Sequence, residues 1–251
     1  MRQRARAPTG GEAGRMRIFV LTGAGVSAES GLGTFRDKAG TGIWARFDPM
    51  KLATPEAFAA DPDTVQAFYN ARRRNLVEAE PNAAHAALAR LEREFAAHGG
   101  RLVLVTQNID DLHERAGSSD VIHMHGELLK SRCTRCGTVA PERGDLGPHS
   151  VCLACGEIGT LRPHVVWFGE MPLEMERIED ELLRADLFVA IGTSGSVYPA
   201  AGYVSLARDA GIATCEINLE PSDNAFLFDE RRYGPASEAV PAFVDEILRR
   251  A

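Results

Sequence analysis

No apolar run in the 251 residues approaches the roughly 20 that a membrane-spanning helix needs, and the first fifteen residues hold arginines but no apolar leader segment. The chain therefore reads as cytoplasmic and without a membrane partner. Surplus positive charge is missing too: 28 Lys and Arg stand against 35 Asp and Glu, a formal charge of -7. That balance disfavours an overall electrostatic grip on nucleic acid, which rests on a net basic face. Internal repeats are absent, as are low-complexity tracts beyond the N-terminal stretch, so solenoid and array architectures do not arise. Cysteine is scarce at five residues, too few for a disulfide scaffold in a chain of this length. What is present is 45% hydrophobic and 25% charged sequence, enough for one large core with a small insertion.

Four of the cysteines fall in two pairs, Cys133-x2-Cys136 and Cys152-x2-Cys155, fifteen residues apart. Such knuckles can set four thiolates at the corners of a tetrahedron, the arrangement zinc takes most readily from sulfur. In a reducing compartment paired thiols are better read as metal ligands than as disulfides. A site filled by four thiolates keeps no position for water or substrate, so this zinc would be structural and chemistry must lie elsewhere. Cys215, within Ile212–Ile217, reads as a strand residue.

Residues 1–15 bury too little to offset ordering and are expected to form a flexible tail. The body over 16–251 alternates buried strands with helices. Strand candidates are Ile18–Leu21, Leu102–Thr106, Val121–Met124, Leu187–Ile191 and Ile212–Ile217. Helical patterns cover Pro81–His98, Pro199–Ala210 and Val240–Arg250. This alternation implies an α/β fold, a doubly wound parallel sheet of Rossmann-like type. A helical excursion over about 44–80, with Asp61 as N-cap before Pro62, interrupts it. So does the cysteine module over about 127–162, expected to project as a small zinc ribbon.

After the first strand, Gly23-Ala24-Gly25-Val26-Ser27-Ala28 reads as a dinucleotide-binding turn. The first glycine permits the turn, the second lets backbone approach a pyrophosphate, and a helix start near Ser27 would aim its amides at the anion. A plain tight turn is the alternative. No acidic residue closes a second strand some 20 residues on, where a hydride-transfer enzyme holds the adenosine ribose, so a dehydrogenase is disfavoured. Instead Arg36 sits in a glycine-rich loop near the phosphates. Beyond the second strand, Gln107-Asn108-Ile109-Asp110 places amides and a carboxylate at the carboxyl edge where doubly wound sheets bind ligands, or else serves as a helix cap. Strand alternation would send His123 and His125 to one face, with His125 at the strand end, where an imidazole can take a proton near neutral pH.

These residues together, Gly23-Ala24-Gly25-Val26-Ser27, Thr34-Phe35-Arg36, Thr106-Gln107-Asn108-Ile109-Asp110, His125-Gly126, the four cysteines and Gly192-Thr193-Ser194, resemble the sirtuins from about Arg17 to the C-terminus. The resemblance implies NAD as a consumed co-substrate, acylated protein lysines as partners, and release of nicotinamide and O-acyl-ADP-ribose. It makes His125 the general base and assigns NAD contacts to Gly23, Ala24, Gly25, Ser27, Ala28, Glu29, Phe35 and Arg36. Gln107, Asn108, Ile109 and Asp110 would hold the nicotinamide ribose. Gly192, Thr193, Ser194, Asn218, Leu219, Glu220 and Ala236 would line the pyrophosphate and adenosine end. Gly33 and Thr34 depart from the bulkier or acidic residues that often precede Phe-Arg in this family.

Acyl preference turns on Tyr69 and Arg72, which share a helix face at i, i+3. An arginine in the run Arg72-Arg73-Arg74 would ordinarily be a solvated face. With small Ala53 upstream, however, the pair resembles the bacterial sirtuins that remove succinyl and malonyl as well as acetyl groups, an arginine fork and a phenol holding a carboxylate. Val166, Phe168 and Gly169, in the run Val165–Glu170, resemble the strand on which an extended substrate peptide pairs. The chain is expected to act as a monomer. Protein mono-ADP-ribosyl transfer and a nonenzymatic zinc-ribbon binding module are the competing readings.

Overall fold

The computed structural model describes residues 16–34 and 47–250. Among them the strands are β1 (Arg17–Thr22), β2 (Arg101–Thr106), β3 (Val121–His123), β4 (Gly126–Cys133), β5 (Val139–Pro141), β6 (Leu161–Val165), β7 (Leu187–Ile191), β8 (Ala213–Asn218) and β9 (Glu230–Tyr233). The α-helices are α1 (Pro55–Ala60), α2 (Pro62–Glu78), α3 (Ala83–Ala97), α4 (Leu112–Arg115), α5 (Met175–Leu183), α6 (Tyr203–Asp209) and α7 (Ala236–Arg250). No helix among the described residues is long and apolar enough to cross a membrane. The expected tail over 1–15 lies outside them.

Six strands form a sheet in the order β3-β2-β1-β7-β8-β9 with every neighbouring pair parallel. The chain leaves β1 toward β2 on one side and returns to β7 on the other, so a crevice opens beyond the carboxyl ends of β1 and β7. The strands read as unbroken apolar runs because both faces are covered. Ile18, Val20, Leu104, Val189 and Ile217 pack with Leu88 and Leu91 of α3 and Phe243 and Val244 of α7. Phe19, Leu21, Val103, Val105 and Phe188 alternate to the opposite face, against Ile178 and Leu182 of α5 and Val204 of α6. Burying each such side chain contributes about 1.5–3 kcal/mol.

The five expected strands stand where the apolar runs put them, and β9 is an addition. Its residues Glu230-Arg231-Arg232-Tyr233 are mostly exposed and charged, as suits the sheet edge, and so carry no apolar pattern to read. One expectation fails. Near Ser27 there is no α-helix but two single 3-10 turns, Ala24–Val26 and Ala28–Ser30, ended by Gly31 at φ 83° in the left-handed region.

The helical excursion, as far as it is described, contains α1 and α2. Asp61 caps α2 through Oδ1, which accepts from Thr64 N–H at 3.1 Å, with Pro62 at the first helical position. The cysteine module is a three-stranded antiparallel sheet in the order β5-β4-β6. A buried polar seam joins helix and module. Asn70 of α2 donates to Leu146 C=O at 2.8 Å and accepts from Leu146 N–H at 3.0 Å. Arg73, wholly buried, donates to Leu128 C=O, Asn70 Oδ1 and Gly144 C=O at 3.1, 2.8 and 3.0 Å. Gln66 donates to Leu161 C=O at 2.8 Å.

Asn70→Ala would leave both backbone groups of Leu146 without partners, a cost of about 2 kcal/mol or more. The melting temperature should fall by about 5 °C for a chain of this size. An unchanged melting curve would mean that water reaches Leu146 and that the seam contributes nothing.

Candidate active site

Beyond β1 and β7, backbone meets backbone. Gly23 N–H donates to Ile191 C=O and Gly25 N–H to Gly192 C=O, both at 2.9 Å. A Cβ on Gly25 would lie 2.7 Å from Gly192 Cα, and one on Gly192, itself at φ 64°, would lie 2.5 Å from Val26 N. Gly23 and Gly25 are therefore required by the Gly192 turn itself, a reason the motif reading did not contain. Around them, Asn218 Nδ2 donates to Thr193 C=O at 2.8 Å, and Ser194 Oγ pairs with Ser196 Oγ at 2.9 Å. Leu219 and Glu220 stand exposed at the same edge. Glu29, two residues past Ser27, accepts from Ser237 N–H and Oγ at 2.9 and 2.7 Å, so its carboxylate caps α7 beside Ala236. Phe35 and Arg36 lie outside the described residues.

Ser27 is a saturated hub. His85 Nδ1 accepts from Asn82 N–H at 3.2 Å, and burial pushes this imidazole down to about 4, so it is neutral and carries its proton on Nε2. That N–H faces Ser27 Oγ at 3.3 Å, Asn108 Nδ2 donates to the same oxygen at 3.1 Å, and the hydroxyl donates to Asp110 Oδ2 at 3.0 Å. Asp110 Oδ1 accepts from Leu112 N–H at 3.2 Å. The N-cap of the short α4 is Asp111, not Asn108 or Asp110; the Asp110 carboxylate accepts the helix's first N–H from one position further out and also lines the cavity. Burial raises its pKa, while the bonds from Leu112 and Ser27 pull it back. In the sequence His85 reads only as a residue of the α3 capping turn, its three-residue spacing from the Asn82 cap being the one signal it carries.

The strand-alternation argument for the two histidines fails, because β3 ends at His123 and Met124-His125 form a turn into β4. His123 Nε2 pairs with Glu114 Oε1 at 2.5 Å. His125 Nδ1 lies 3.0 Å from Gln107 C=O, which can only accept, so Nδ1 carries the proton and Nε2 presents a lone pair. Burial lowers the His125 pKa from its ordinary value, with the Gln107 carbonyl opposing.

A cavity of about 310 Å³ is lined by Ala24, Ser27, Gly31, Leu32, Gly33, Asn108, Ile109 and Asp110 on the turn side. Phe47, Phe68, Ala71, Arg72, Asn75, Leu76 and Leu128 complete its wall. The structure thus brings Arg72 to the same space as Ser27, Asn108 and Asp110. Tyr69 and Ala53 lie behind the wall in a buried cluster with Trp167 and Val165, and Tyr69 Oη accepts from Trp167 Nε1 at 2.9 Å. The sheet strand β6 stops at Val165. The residues after it bond inward, Val166 N–H to His125 C=O at 2.8 Å and Phe168 N–H to Ala53 C=O at 2.9 Å, with Phe168-Gly169 forming a turn in which Gly169 stands at φ 88°. Gln107 and Thr193 line a second, narrow pocket.

The four cysteine sulfurs lie within 4.8 Å of one another, with Cys133 Sγ to Cys155 Sγ at 3.8 Å and Cys136 Sγ to Cys152 Sγ at 3.7 Å. A zinc tetrahedron with Zn–S near 2.3 Å has edges of about 3.8 Å, so the thiols are positioned to hold the ion. Backbone N–H groups of Arg135 and Cys136 approach Cys133 Sγ at 3.4 and 3.5 Å, support suited to a thiolate.

The profile of the Sir2 family matches residues 23–199. A relative from Caulobacter vibrioides named NAD-dependent protein deacylase is 63% identical over 94% of this chain and 99% of its own. A solved Sir2 homologue in complex with NAD superposes with a TM-score of 0.82 at 42% identity, covering 93% of this chain and 90% of that one. A Sir2 structure bound to an acetylated peptide gives 0.74 at 26% identity, covering 94% and 93%.

Chelating the zinc under reducing conditions should loosen the knuckle end of the small sheet first, because there the four cysteines are what hold the chain together. Hydrogen exchange should show protection lost over 130–160 while β1 and β7 stay protected; uniform protection throughout would mean the thiols hold no structural ion.

Proposed function

The chain belongs to the Sir2 family, and from that membership we propose that it removes acyl groups from protein lysines, consuming NAD and releasing nicotinamide and O-acyl-ADP-ribose. Relatives named NAD-dependent protein deacylase at 56–63% identity, a solved homologue holding NAD and another holding an acetylated peptide support this reading. We assign succinyl and malonyl groups as substrates alongside acetyl. The observation that carries the assignment is the shared cavity, with Ser27, Asn108 and Asp110 on one wall and Arg72 on another.

NAD brings a glycosidic bond to nicotinamide whose cleavage develops positive charge on the ribose. With NAD bound, the Asp110 carboxylate and the Asn108 amide dipole, both held in place through Ser27, would stabilise that charge. His125 acts as general base through Nε2, its other nitrogen fixed by the Gln107 carbonyl. Arg72 is placed to pair with a carboxylate at the far end of an acyl chain. Cys133, Cys136, Cys152 and Cys155 would hold a zinc ion, which would then keep the module together and leave no coordination position for substrate.

Mass spectrometry of succinyl-lysine and acetyl-lysine peptides with and without NAD tests the activity. Wild type should lose both acyl masses in an NAD-dependent way, and His125→Ala should lose neither at a measurable rate. Free nicotinamide without deacylation would instead favour ADP-ribosyl transfer. Arg72→Met should lower succinyl turnover at least tenfold more than acetyl turnover, the scale of a lost charge-assisted pair; equal loss on both would refute the role of Arg72.

The pH profile follows from His125. Its pKa lies below the ordinary 6.5, and only the neutral imidazole can take a proton, so kcat/KM should rise with pH through a midpoint under 6.5 and stay flat above about pH 7. A rate still climbing from pH 7 to 8 would exclude His125 as the titrating base.

A further inference from the structure

Helix α7 begins without a cap of its own. Gly234 and Pro235, the residues before it, carry no side-chain oxygen. The N–H groups of Glu238 and Ala239 reach the Pro235 carbonyl, which leaves those of Ala236 and Ser237 for a partner elsewhere. That partner stands 208 positions away: one oxygen of Glu29 accepts from Ser237 N–H at 2.9 Å and the other from Ser237 Oγ at 2.7 Å. The Ser237 hydroxyl, and then its backbone N–H, hold the Glu29 carboxyl below its ordinary range, so the link is charge-assisted near neutral pH.

Glu29 belongs to the 3-10 turn Ala28–Ser30, and Ser27 before that turn and Gly31 after it both line the cavity. Asn82 Nδ2 holds the same stretch through Val26 C=O at 2.8 Å and Ser30 Oγ at 3.0 Å. The link to Ser237 also closes a circuit. Gly25 N–H donates to Gly192 C=O at 2.9 Å, Asn218 Nδ2 to Thr193 C=O at 2.8 Å, and Gly234 N–H to Asn218 C=O at 3.0 Å. From Gly234 the chain runs to Ser237 and crosses to Glu29, back to the turn where the circuit began. The carboxyl ends of β1, β7 and β8 are so bound together, and Glu29 is the carboxylate crossing where the others end on backbone carbonyls. We propose that Glu29 is a positioning residue for the dinucleotide: by capping α7 it locks the turn-side wall of the cavity, with Ala24, Ser27 and Gly31, in the shape that accepts NAD. This rests on the reading above that NAD is the co-substrate. A free carboxylate beside a diphosphate would repel it, whereas the positive end of α7 offsets a carboxylate whose two oxygens are both turned to Ser237.

Glu29→Ala should weaken the binding of ADP-ribose, measured by calorimetry without peptide, about tenfold, because the ligand must then order a turn that the carboxylate had held, up to the worth of a charge-assisted hydrogen bond. The KM for NAD should rise by a similar factor while that for an acetyl-lysine peptide stays near its wild-type value. Ser237→Ala should show a smaller part of the same effect, Ser237→Thr, which keeps the hydroxyl, should bind ADP-ribose as wild type does, and Glu29→Ala with Ser237→Ala should add nothing to Glu29→Ala alone. Tighter ADP-ribose binding in Glu29→Ala would show that the carboxylate acts only as a charge near the ligand and would overturn the proposal. Equal rises in both KM values, or a lowered melting temperature with ADP-ribose affinity unchanged, would overturn it too and leave Glu29 a helix cap. If Glu29→Ala does not fold, Ser237→Ala against Ser237→Thr decides, equal affinity in the two overturning the idea. Wild type that neither binds ADP-ribose nor releases nicotinamide from NAD would overturn the underlying reading and this proposal together. ADP-ribose bound equally well by wild type and Glu29→Ala would overturn only the proposal.

Discussion

The approach of the Gly23–Gly25 turn to Gly192 sets everything that follows. Two loops at the ends of adjacent strands can lie this close only if no Cβ stands between them, and a single methyl on Gly25 or Gly192 would press on backbone. That contact holds the turn after β1 flat against the end of β7, and Ser27, one residue past the first 3-10 turn, is thereby delivered to the crevice floor. From Ser27 the order propagates by hydrogen bonds to His85 on α3 and to Asn108 and Asp110 in the loop after β2, two other segments of the chain. A hydroxyl whose proton and both lone pairs are engaged, as Ser27's are, holds its partners against rearrangement, and such prior arrangement is how dipoles stabilise developing charge without reorganising.

Helix α2 connects this floor to the rest of the molecule because its faces do different work. Gln66, Asn70 and Arg73 bond to backbone of the cysteine module, while Arg72 lines the cavity and Tyr69 meets Trp167. The wholly buried Arg73 satisfies most of its donors with carbonyls and an amide oxygen rather than with a carboxylate. Such an arrangement tolerates no rotation of the helix, because any turn would strand a buried charge. The small sheet is in this way a brace for the helix that forms one wall of the cavity.

The two histidine readings show where pattern and geometry part company. Alternation along β3 is a sound rule applied one residue too far: the strand ends at His123, and His125 reaches its place through a turn and the Gln107 carbonyl. The glycine turn was legible as a motif, but the physical need for its glycines lay in Gly192, almost 170 residues away. The helix expected at Ser27 failed for a local reason, since Gly31 in the left-handed region ends the 3-10 turn Ala28–Ser30 after three residues.

Sequence by itself determined the parallel sheet, because strands covered on both faces must be continuous apolar runs, and it determined the metal knuckles, because two short Cys-x2-Cys spacings are local and need no knowledge of the fold. It also marked Ser27, Asn108, Asp110, His125 and Arg72 by kind and order. Tertiary structure alone decided the edge strand β9, whose exposed charged residues carry no pattern, and the partners of each polar group: His85 on Ser27, Asn70 on Leu146, Trp167 on Tyr69. Those pairs join residues 58 to 98 positions apart. No periodicity reports a contact of that range, because which hydrogen bond a buried donor makes depends on what the folded chain brings beside it.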